Sequence, residues 1–211
     1  MTEQAISEAA GVEQKLELTD WRRRIAELYA SVRANPDPLD AWHAWRAERE
    51  HLYLTHPQSP LPRDQRDAAH APRYFEYDPA WRLYADITEQ ERDTVTLPAS
   101  ADGVFTVSAI GFAEFVVGGM PVRLVLHWLN DYAGGLLVSF RDATSGSDTY
   151  GAGRYLLDTA KGADLGASSG RLLLDFNFAY QPSCSYDPRW ACPLPPRDNW
   201  LSMPIRCGER S

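Results

Sequence analysis

The 211-residue chain has few lysines and cysteines, and it has no long apolar run. Lys15 and Lys161 are the only lysines among its 21 basic residues, and 29 acids give a formal net charge of -8. An acidic chain without a dense basic cluster repels phosphate backbones, which argues against nucleic acid as a partner. No stretch reaches the ~18 apolar residues that a membrane-spanning helix needs, so we expect no membrane partner.

The three cysteines point to reduced thiols rather than a disulfide framework. Residues 1–11 lack a basic start followed by an apolar stretch, which predicts a cytoplasmic protein. Seven residues lie between Cys184 and Cys192, more than the two to four residues typical between paired zinc ligands. They are therefore a weak alternative for a metal site, and we expect no metal or other cofactor. Buried thiols or a disulfide formed on oxidation are the favoured interpretations.

The first part of the chain has helical periodicity. Apolar residues recur at spacings of three and four over residues 16–32, where Asp20 is available as an N-cap. A second helix is predicted from Pro38, capped by Asp37, to about Leu54. Its buried stripe is expected to contain tryptophans that anchor the core, together with one charged residue: Leu39, Trp42, Trp45, Arg49 and Leu52.

Beyond a proline-rich connector the pattern changes to strands. Gly118-Gly119 and Ala133-Gly134-Gly135 are turn signals, so neighbouring strands are expected to be antiparallel. We predict a mainly β (α+β) protein whose curved antiparallel sheet or barrel carries two N-terminal helices. Residues 1–73 form the helical segment and connector, and residues 74–211 form the β domain, in one compact unit. The predicted strands cover residues 74–77, 81–87, 104–110, 112–117, 122–129, 136–140, 154–157, 171–178 and 200–205.

The densest polar segment is FRDATSGSDTYGAGRY at residues 140–155. Two arginines, hydroxyl groups and glycine-rich backbone suit a small anion. The alternative is that arginine-acid pairs hold an ordered loop. The candidate ligand-binding residues are Arg141, Thr144, Ser145, Thr149 and Arg154, with Asn177 from a later strand.

Asp175 and Asn177 lie two residues apart on the predicted strand 171–178, so both side chains are expected on one face. Burial in a cleft would raise the pKa of Asp175 into the range of a general acid or base. A structural ion pair with an arginine is the competing interpretation. His127, inside another predicted strand, is interpreted as a sheet residue rather than a metal ligand.

Four segments, in order, resemble a known family: FRDATSGSDTYGAGRYL, LDFNFAYQPSC, CPLPPRDNWL and residues 205–210. The family is the domain of unknown function family sixteen eighty-four, whose members are bacterial and archaeal. The earlier run WRAEREHLYLTHPQSPL is similar to it as well. The chain departs from the family pattern at Gln181, Ser183 and Cys207, which weakens any role for Cys207. The resemblance implies an uncharacterised soluble protein and no particular activity.

The leading hypothesis is a non-enzymatic module that binds a small anionic molecule near Arg141 and Arg154. One alternative is a hydrolase or lyase in which Asp175 or Asp142 is the base and Tyr150 the acid. Another is that apolar helix residues recruit a protein partner, which includes a homodimer.

Overall fold

The computed structural model of the protein describes residues 11–130 and 134–211. Helix α1 is Val12–Ala34 and helix α2 is Pro38–Thr55. Asp37 caps α2 as predicted, since its carboxylate accepts hydrogen bonds from the Leu39 and Asp40 amides at 2.9 and 3.2 Å. The predicted cap at Asp20 is wrong, because no residue between Val12 and Asp20 interrupts the helix and Asp20 lies within it.

The strands are β1 Arg73–Tyr74, β2 Arg82–Pro98, β3 Val104–Val117, β4 Met120–Leu129, β5 Gly135–Phe140, β6 Arg154–Asp158, β7 Ala167–Ser168, β8 Arg171–Asp175 and β9 Glu209–Arg210. Most of them belong to one curled antiparallel sheet with the order β6-β5-β4-β3-β2-β8-β7. The short strands β1 and β9 pair separately. This confirms the expected mainly β fold with N-terminal helices.

Gly118 and Gly119 form the predicted hairpin turn between β3 and β4, and both have positive φ. Residues 131–133 lie outside the described residues, and with them part of the second predicted turn. The two strands predicted at 104–110 and 112–117 are one strand, β3, whose register shifts at Gly111. A Cβ at Gly111 would lie 2.4 Å from the Thr88 carbonyl oxygen, so this close approach of two backbones requires glycine.

Three strand predictions fail in whole or in part. Of the strand predicted at 74–77, only Tyr74 lies in a strand, β1. Strand β8 ends at Asp175, and Phe176–Phe178 form a 3-10 turn capped by the Asp175 carboxylate. Residues 200–205 form an irregular segment joined to the sheet by a single bridge between Arg141 and Trp200. Pro204 has no amide hydrogen to donate within that segment.

The helices pack on one face of the sheet and share a hydrophobic core with it. Trp42 and Trp45 are buried there, as predicted, and the Trp45 ring meets Tyr29, Tyr74 and Phe178 edge-on. The Trp42 indole also donates to the Asn177 carbonyl at 3.1 Å. The helices and the end of the sheet are therefore held in fixed relative positions, and the candidate site lies between them.

Candidate functional site

Arg154 is fully buried and forms a salt bridge of 2.7 Å with Asp142. Its two terminal nitrogens also donate to the carbonyl groups of Ile205, Cys207 and Glu209. The guanidinium therefore ties the loop after β5 to the C-terminal segment. Its Nη atoms therefore donate to protein acceptors, as expected from the alternative interpretation in which arginine-acid pairs hold an ordered loop.

The loop after β5 carries hydroxyl side chains that join the hydrogen-bond network of Asp142 and Arg154. Asp142 Oδ1 accepts from the Thr144 amide at 2.7 Å and the Thr144 hydroxyl at 2.5 Å. Thr149 contacts Thr144 Oγ1 at 3.0 Å, and Ser145 Oγ accepts from the Asp142 amide at 3.2 Å. The structure thus brings four of the predicted ligand residues together with Asp142, in a network whose carboxylate oxygens and Arg154 Nη atoms are paired, while Arg154 Nε has no partner among the described residues.

Arg141 lies elsewhere, although it belongs to the same sequence block. Phe140 pairs with Arg154 in the sheet, and Arg141 is the next residue along the chain. The Arg141 guanidinium stacks 4.1 Å from the centre of the Trp200 ring, and Arg197 stacks 4.0 Å from it. Trp200 is partly exposed, so the structure does not place Arg141 and Arg154 around one pocket.

The three candidate catalytic residues contact three separate sets of groups. Asp175 is buried between Arg82 at 3.1 Å and the Asn177 amide at 2.8 Å, and burial raises the pKa of its carboxyl. Asp142 belongs to the Arg154 network. The Tyr150 hydroxyl lies 4.0 Å from the Cys184 sulfur. Asp175 and Asn177 do meet, but through the turn that ends β8 rather than on one strand face.

A cavity of about 60 Å³ lies between the helices and strand β6. Its polar lining residues come from both helices, from β6 and from the segment after β8, which are far apart in sequence. Aromatic and polar side chains dominate the lining: Trp21, Tyr29, Arg49, Tyr53, Tyr155, Asp158, Lys161, Tyr180, Gln181 and Cys192. We call this space the Arg49 cavity. Cys192, from the weak alternative for a metal site, belongs to this lining, whereas none of the candidate ligand-binding and catalytic residues does.

Arg49 is buried on the apolar stripe of α2. It donates through Nη2 to Tyr53 at 2.6 Å and to the buried Glu209 carboxylate at 2.9 Å. Its guanidinium also stacks on Tyr180, 4.7 Å from the ring centre. A buried arginine needs such a partner, because an isolated charge would be costly there. The charge within the α2 stripe was the sequence signal that could have indicated the cavity.

Several buried polar atoms around the cavity have no hydrogen-bond partner among the described residues. They include Tyr29 Oη, Arg49 Nε and Asp158 Oδ1. Burial raises the pKa of Tyr29 to about 12, so this hydroxyl keeps its proton and remains a donor. Nearly all buried polar groups in proteins are paired, so a cluster of partnerless atoms around one cavity marks a place for a polar molecule.

One cysteine lines the cavity, and a second packs against the same small buried cluster. Cys192 is buried and lines the cavity, while Cys184 is partly exposed and contacts Tyr150. A hydrogen bond from the Cys192 thiol lowers the pKa of Cys184 to about 6. The same interaction raises the pKa of Cys192 well above its ordinary value. The pair thus favours a thiolate at the accessible cysteine and a thiol at the buried one.

His127 lies away from these groups, beside an open groove of about 370 Å³ that Arg123 and Asp198 also line. It is buried in β4, and its Nδ1 has no partner among the described residues. Burial lowers the pKa of His127 to about 4, and Asp198 opposes this only in part. The imidazole is therefore neutral at pH 7.

Residues 11–130 and 134–211 contain no cluster of three metal-ligating side chains. Within the same ranges, no helix combines the length and apolar character needed to cross a membrane.

The fold and these sites define a mainly β protein, a curled antiparallel sheet with two N-terminal helices. The family model named Protein of unknown function (DUF1684) matches residues 70–210, and the chain belongs to this family. The resemblance seen in the sequence is thereby confirmed.

A solved relative supports the same assignment. The solution NMR structure of an uncharacterized protein from Haloarcula marismortui is 35% identical, with a TM-score of 0.59. The match covers 80% of this chain and 91% of that one. No curated protein matches the chain.

Proposed function

We propose that the protein binds a small carboxylate that also carries a hydroxyl or ammonium group, and that the Arg49 cavity is its binding site. The observation that carries this proposal is the set of partnerless donors and acceptors around one cavity. It keeps the class expected from the sequence, a module for a small anionic molecule, and moves the site from Arg154 to Arg49.

The donors of the cavity suit a carboxylate. Arg49 Nε and Tyr29 Oη have no partner among the described residues. Tyr53 accepts a hydrogen bond from Arg49, so its own hydroxyl proton remains available to donate. Hydrogen bonds from a guanidinium to a carboxylate are among the stronger ones in proteins.

The acceptor of the cavity selects for a second group on the ligand. Asp158 is buried, and its Oδ1 has no partner among the described residues. Its other oxygen lies 3.5 Å from the exposed Lys161 ammonium, a long contact. A hydroxyl or ammonium group on the ligand would donate to Oδ1. A plain carboxylate lacks this donor and would meet a second negative charge instead.

The size of the cavity limits the ligand. A buried water needs roughly 10–15 Å³ of such space, so about 60 Å³ holds only a few waters or a ligand of comparable size. The ligand class is therefore small hydroxy- or amino-carboxylates rather than nucleotides.

Thermal shift with matched ligand pairs tests the proposal. Glycolate, glycerate and alanine carry both groups, acetate carries the carboxylate alone, and ethanolamine lacks the carboxylate. We expect at least one of the first three to raise Tm with concentration, and acetate and ethanolamine to have smaller effects. A flat response to all three would contradict the proposal.

Two substitutions locate the binding. Tyr29→Phe and Asp158→Asn each remove one cavity group while preserving shape, and each should weaken binding about 5- to 10-fold. Tyr84→Phe is the control, because this exposed tyrosine is remote from the lining residues. A ligand shift unchanged in both cavity variants would contradict the assigned site.

A further inference from the structure

The loop between β8 and β9 holds Cys184 and Cys192 in a fixed arrangement. Cys184 lies in a short 3-10 turn, Ser183–Ser185. The Cys192 amide donates to Ser100 Oγ at 3.0 Å, and the Ser100 amide donates to the Cys192 carbonyl at 2.9 Å. Cys192 is therefore anchored to the chain that follows β2 through both its amide and its carbonyl group.

The two thiols differ in access to solvent. Cys192 is 3% exposed, whereas Cys184 is partly open to solvent. Cys184 packs against the small buried cluster that contains Cys192, and the Tyr150 hydroxyl lies 4.0 Å from the Cys184 sulfur. The interaction with Cys192 brings the pKa of Cys184 to about 6, so the accessible sulfur is mostly thiolate at pH 7.

Cys207 provides an internal contrast. It is completely buried, and burial raises its pKa well above the ordinary value. A thiol without access to solvent and without a thiolate form is inert. Any oxidation chemistry of this chain should therefore leave Cys207 unchanged.

We propose that Cys184 and Cys192 form a redox-active pair that reduces a hydroperoxide and closes to an intramolecular disulfide. The adjacency of one accessible and one buried thiol on an anchored loop carries this inference, which is independent of the cavity ligand. Such pairing of an attacking and a resolving cysteine suits reversible oxidation.

The chemistry balances in two steps. The Cys184 thiolate attacks a peroxide oxygen, the O–O bond breaks, and an alcohol or water leaves after taking up a proton, which produces a sulfenic acid. The Cys192 sulfur then attacks the Cys184 sulfur. The S–S bond forms, the S–O bond breaks, and water leaves with the Cys192 proton. Two thiols lose two electrons in total to one hydroperoxide, and a dithiol reductant restores them.

Peptide mass spectrometry on the wild-type chain is the primary test. After one equivalent of hydrogen peroxide, followed by denaturation and alkylation, we expect one alkylated cysteine, Cys207, and a linked pair of peptides containing Cys184 and Cys192. Dithiothreitol should return three alkylated cysteines. Three free thiols after peroxide, or a disulfide that includes Cys207, would overturn the proposal.

Variants assign the two roles. In Cys192→Ser, dimedone should trap a sulfenic acid on Cys184, whereas Cys184→Ser should give no adduct on Cys192. Cys207→Ser is the matched control and should form the disulfide as the wild type does. Trapping on Cys192 in place of Cys184 would overturn the assignment. The wild-type experiment decides the proposal even if a variant fails to fold.

The pH dependence of alkylation separates a reactive thiol from a merely exposed one. The rate of iodoacetamide labelling at Cys184 in the native protein should be half-maximal near pH 6. A midpoint near 8.5, the value of an unperturbed cysteine, would contradict an activated Cys184.

Discussion

Two buried arginines, Arg154 and Arg49, show how similar residues take different roles. Arg154 makes four hydrogen bonds through its Nη atoms, to Asp142 and to three carbonyl groups. Arg49 makes two, to Tyr53 and Glu209, and it borders a cavity with partnerless atoms. Each arginine has a buried acid beside it, so charge pairing alone does not distinguish them.

The difference lies in what surrounds each pair. A buried polar group left without a partner costs about 1–3 kcal/mol, so a fold rarely keeps several in one place. Nε of both arginines lacks a partner among the described residues, so this atom does not separate them. Around Arg154, the carboxylate oxygens of Asp142 are satisfied by protein donors. Around Arg49, Tyr29 Oη and Asp158 Oδ1 have no hydrogen-bond partner among the described residues. We therefore assign the Arg154 network to structure and the Arg49 cavity to binding.

The largest expected effect comes from Arg154→Met. This change would leave the buried Asp142 carboxylate and three carbonyl groups without their hydrogen-bond donor. It should lower the free energy of unfolding by about 3–5 kcal/mol. Thermal unfolding should show a Tm lowered by about 10 °C for a chain of this size. Arg141→Met is the control, because Arg141 only stacks on Trp200. Equal losses in the two variants would contradict a structural role specific to Arg154.

His127 extends the comparison to a buried polar group outside both clusters. Its pKa is about 4 when folded and about 6.5 when unfolded, so the unfolded chain binds the extra proton between these values. The neutral imidazole's contribution to the free energy of unfolding is present above pH 6.5. About 3 kcal/mol of it is lost as the pH falls towards 4. Urea unfolding of His127→Leu should show a flatter acid limb than wild type.

The exposed His51 supplies the control for that experiment. His51→Leu keeps the buried His127, so its acid limb should match the wild type. Asp175 and Glu209, whose carboxyl pKa values burial raises, act in the opposite sense but remain in all three proteins. The difference between the variants thus isolates the imidazole, and identical acid limbs would contradict its lowered pKa.

Two buried aspartates offer a matched pair. Asp142→Asn should cost about 2–3 kcal/mol, because its carboxylate accepts charge-assisted hydrogen bonds from Arg154 and two from Thr144. Asp158→Asn should cost under about 1 kcal/mol, since its Oδ1 has no partner among the described residues. Urea denaturation measures both. Equal costs would remove the distinction between the two clusters.

The smallest expected effect on stability belongs to Tyr29→Phe. Removing its partnerless hydroxyl should change the free energy of unfolding by less than about 0.5 kcal/mol. Tyr155→Phe, in the same lining, should cost about 1 kcal/mol because Tyr155 donates to the Pro193 carbonyl at 2.5 Å. A loss in Tyr29→Phe as large as in Tyr155→Phe would show that the Tyr29 hydroxyl is already satisfied.

Local sequence signals predicted much of the fold. Asp37 with Pro38 marked the start of α2, and Gly118-Gly119 marked a hairpin, because caps and tight turns depend on adjacent residues. The extent of β2 was missed, since residues 88–93 are all polar or charged, and the strand continues through its pairing with β3. The end of β8 was missed because the Asp175 carboxylate caps a turn that looks like strand in sequence.

The site was harder to predict because its residues meet only in the folded chain. The dense block at residues 140–155 drew attention to Arg154, whose polar partners turned out to be its own neighbours and the C-terminal carbonyls. Arg49 was visible only as one charge in an apolar stripe, and its partner Glu209 lies 160 residues away. A protein partner, a homodimer and a cytoplasmic location stay predictions.

A crystal structure grown with the most stabilising ligand of the thermal-shift panel tests the central claim most directly. We predict that its carboxylate contacts Arg49 and Tyr29 and that its hydroxyl or ammonium group donates to Asp158. Ligand density at Trp200 between Arg141 and Arg197, with only water in the Arg49 cavity, would contradict the account.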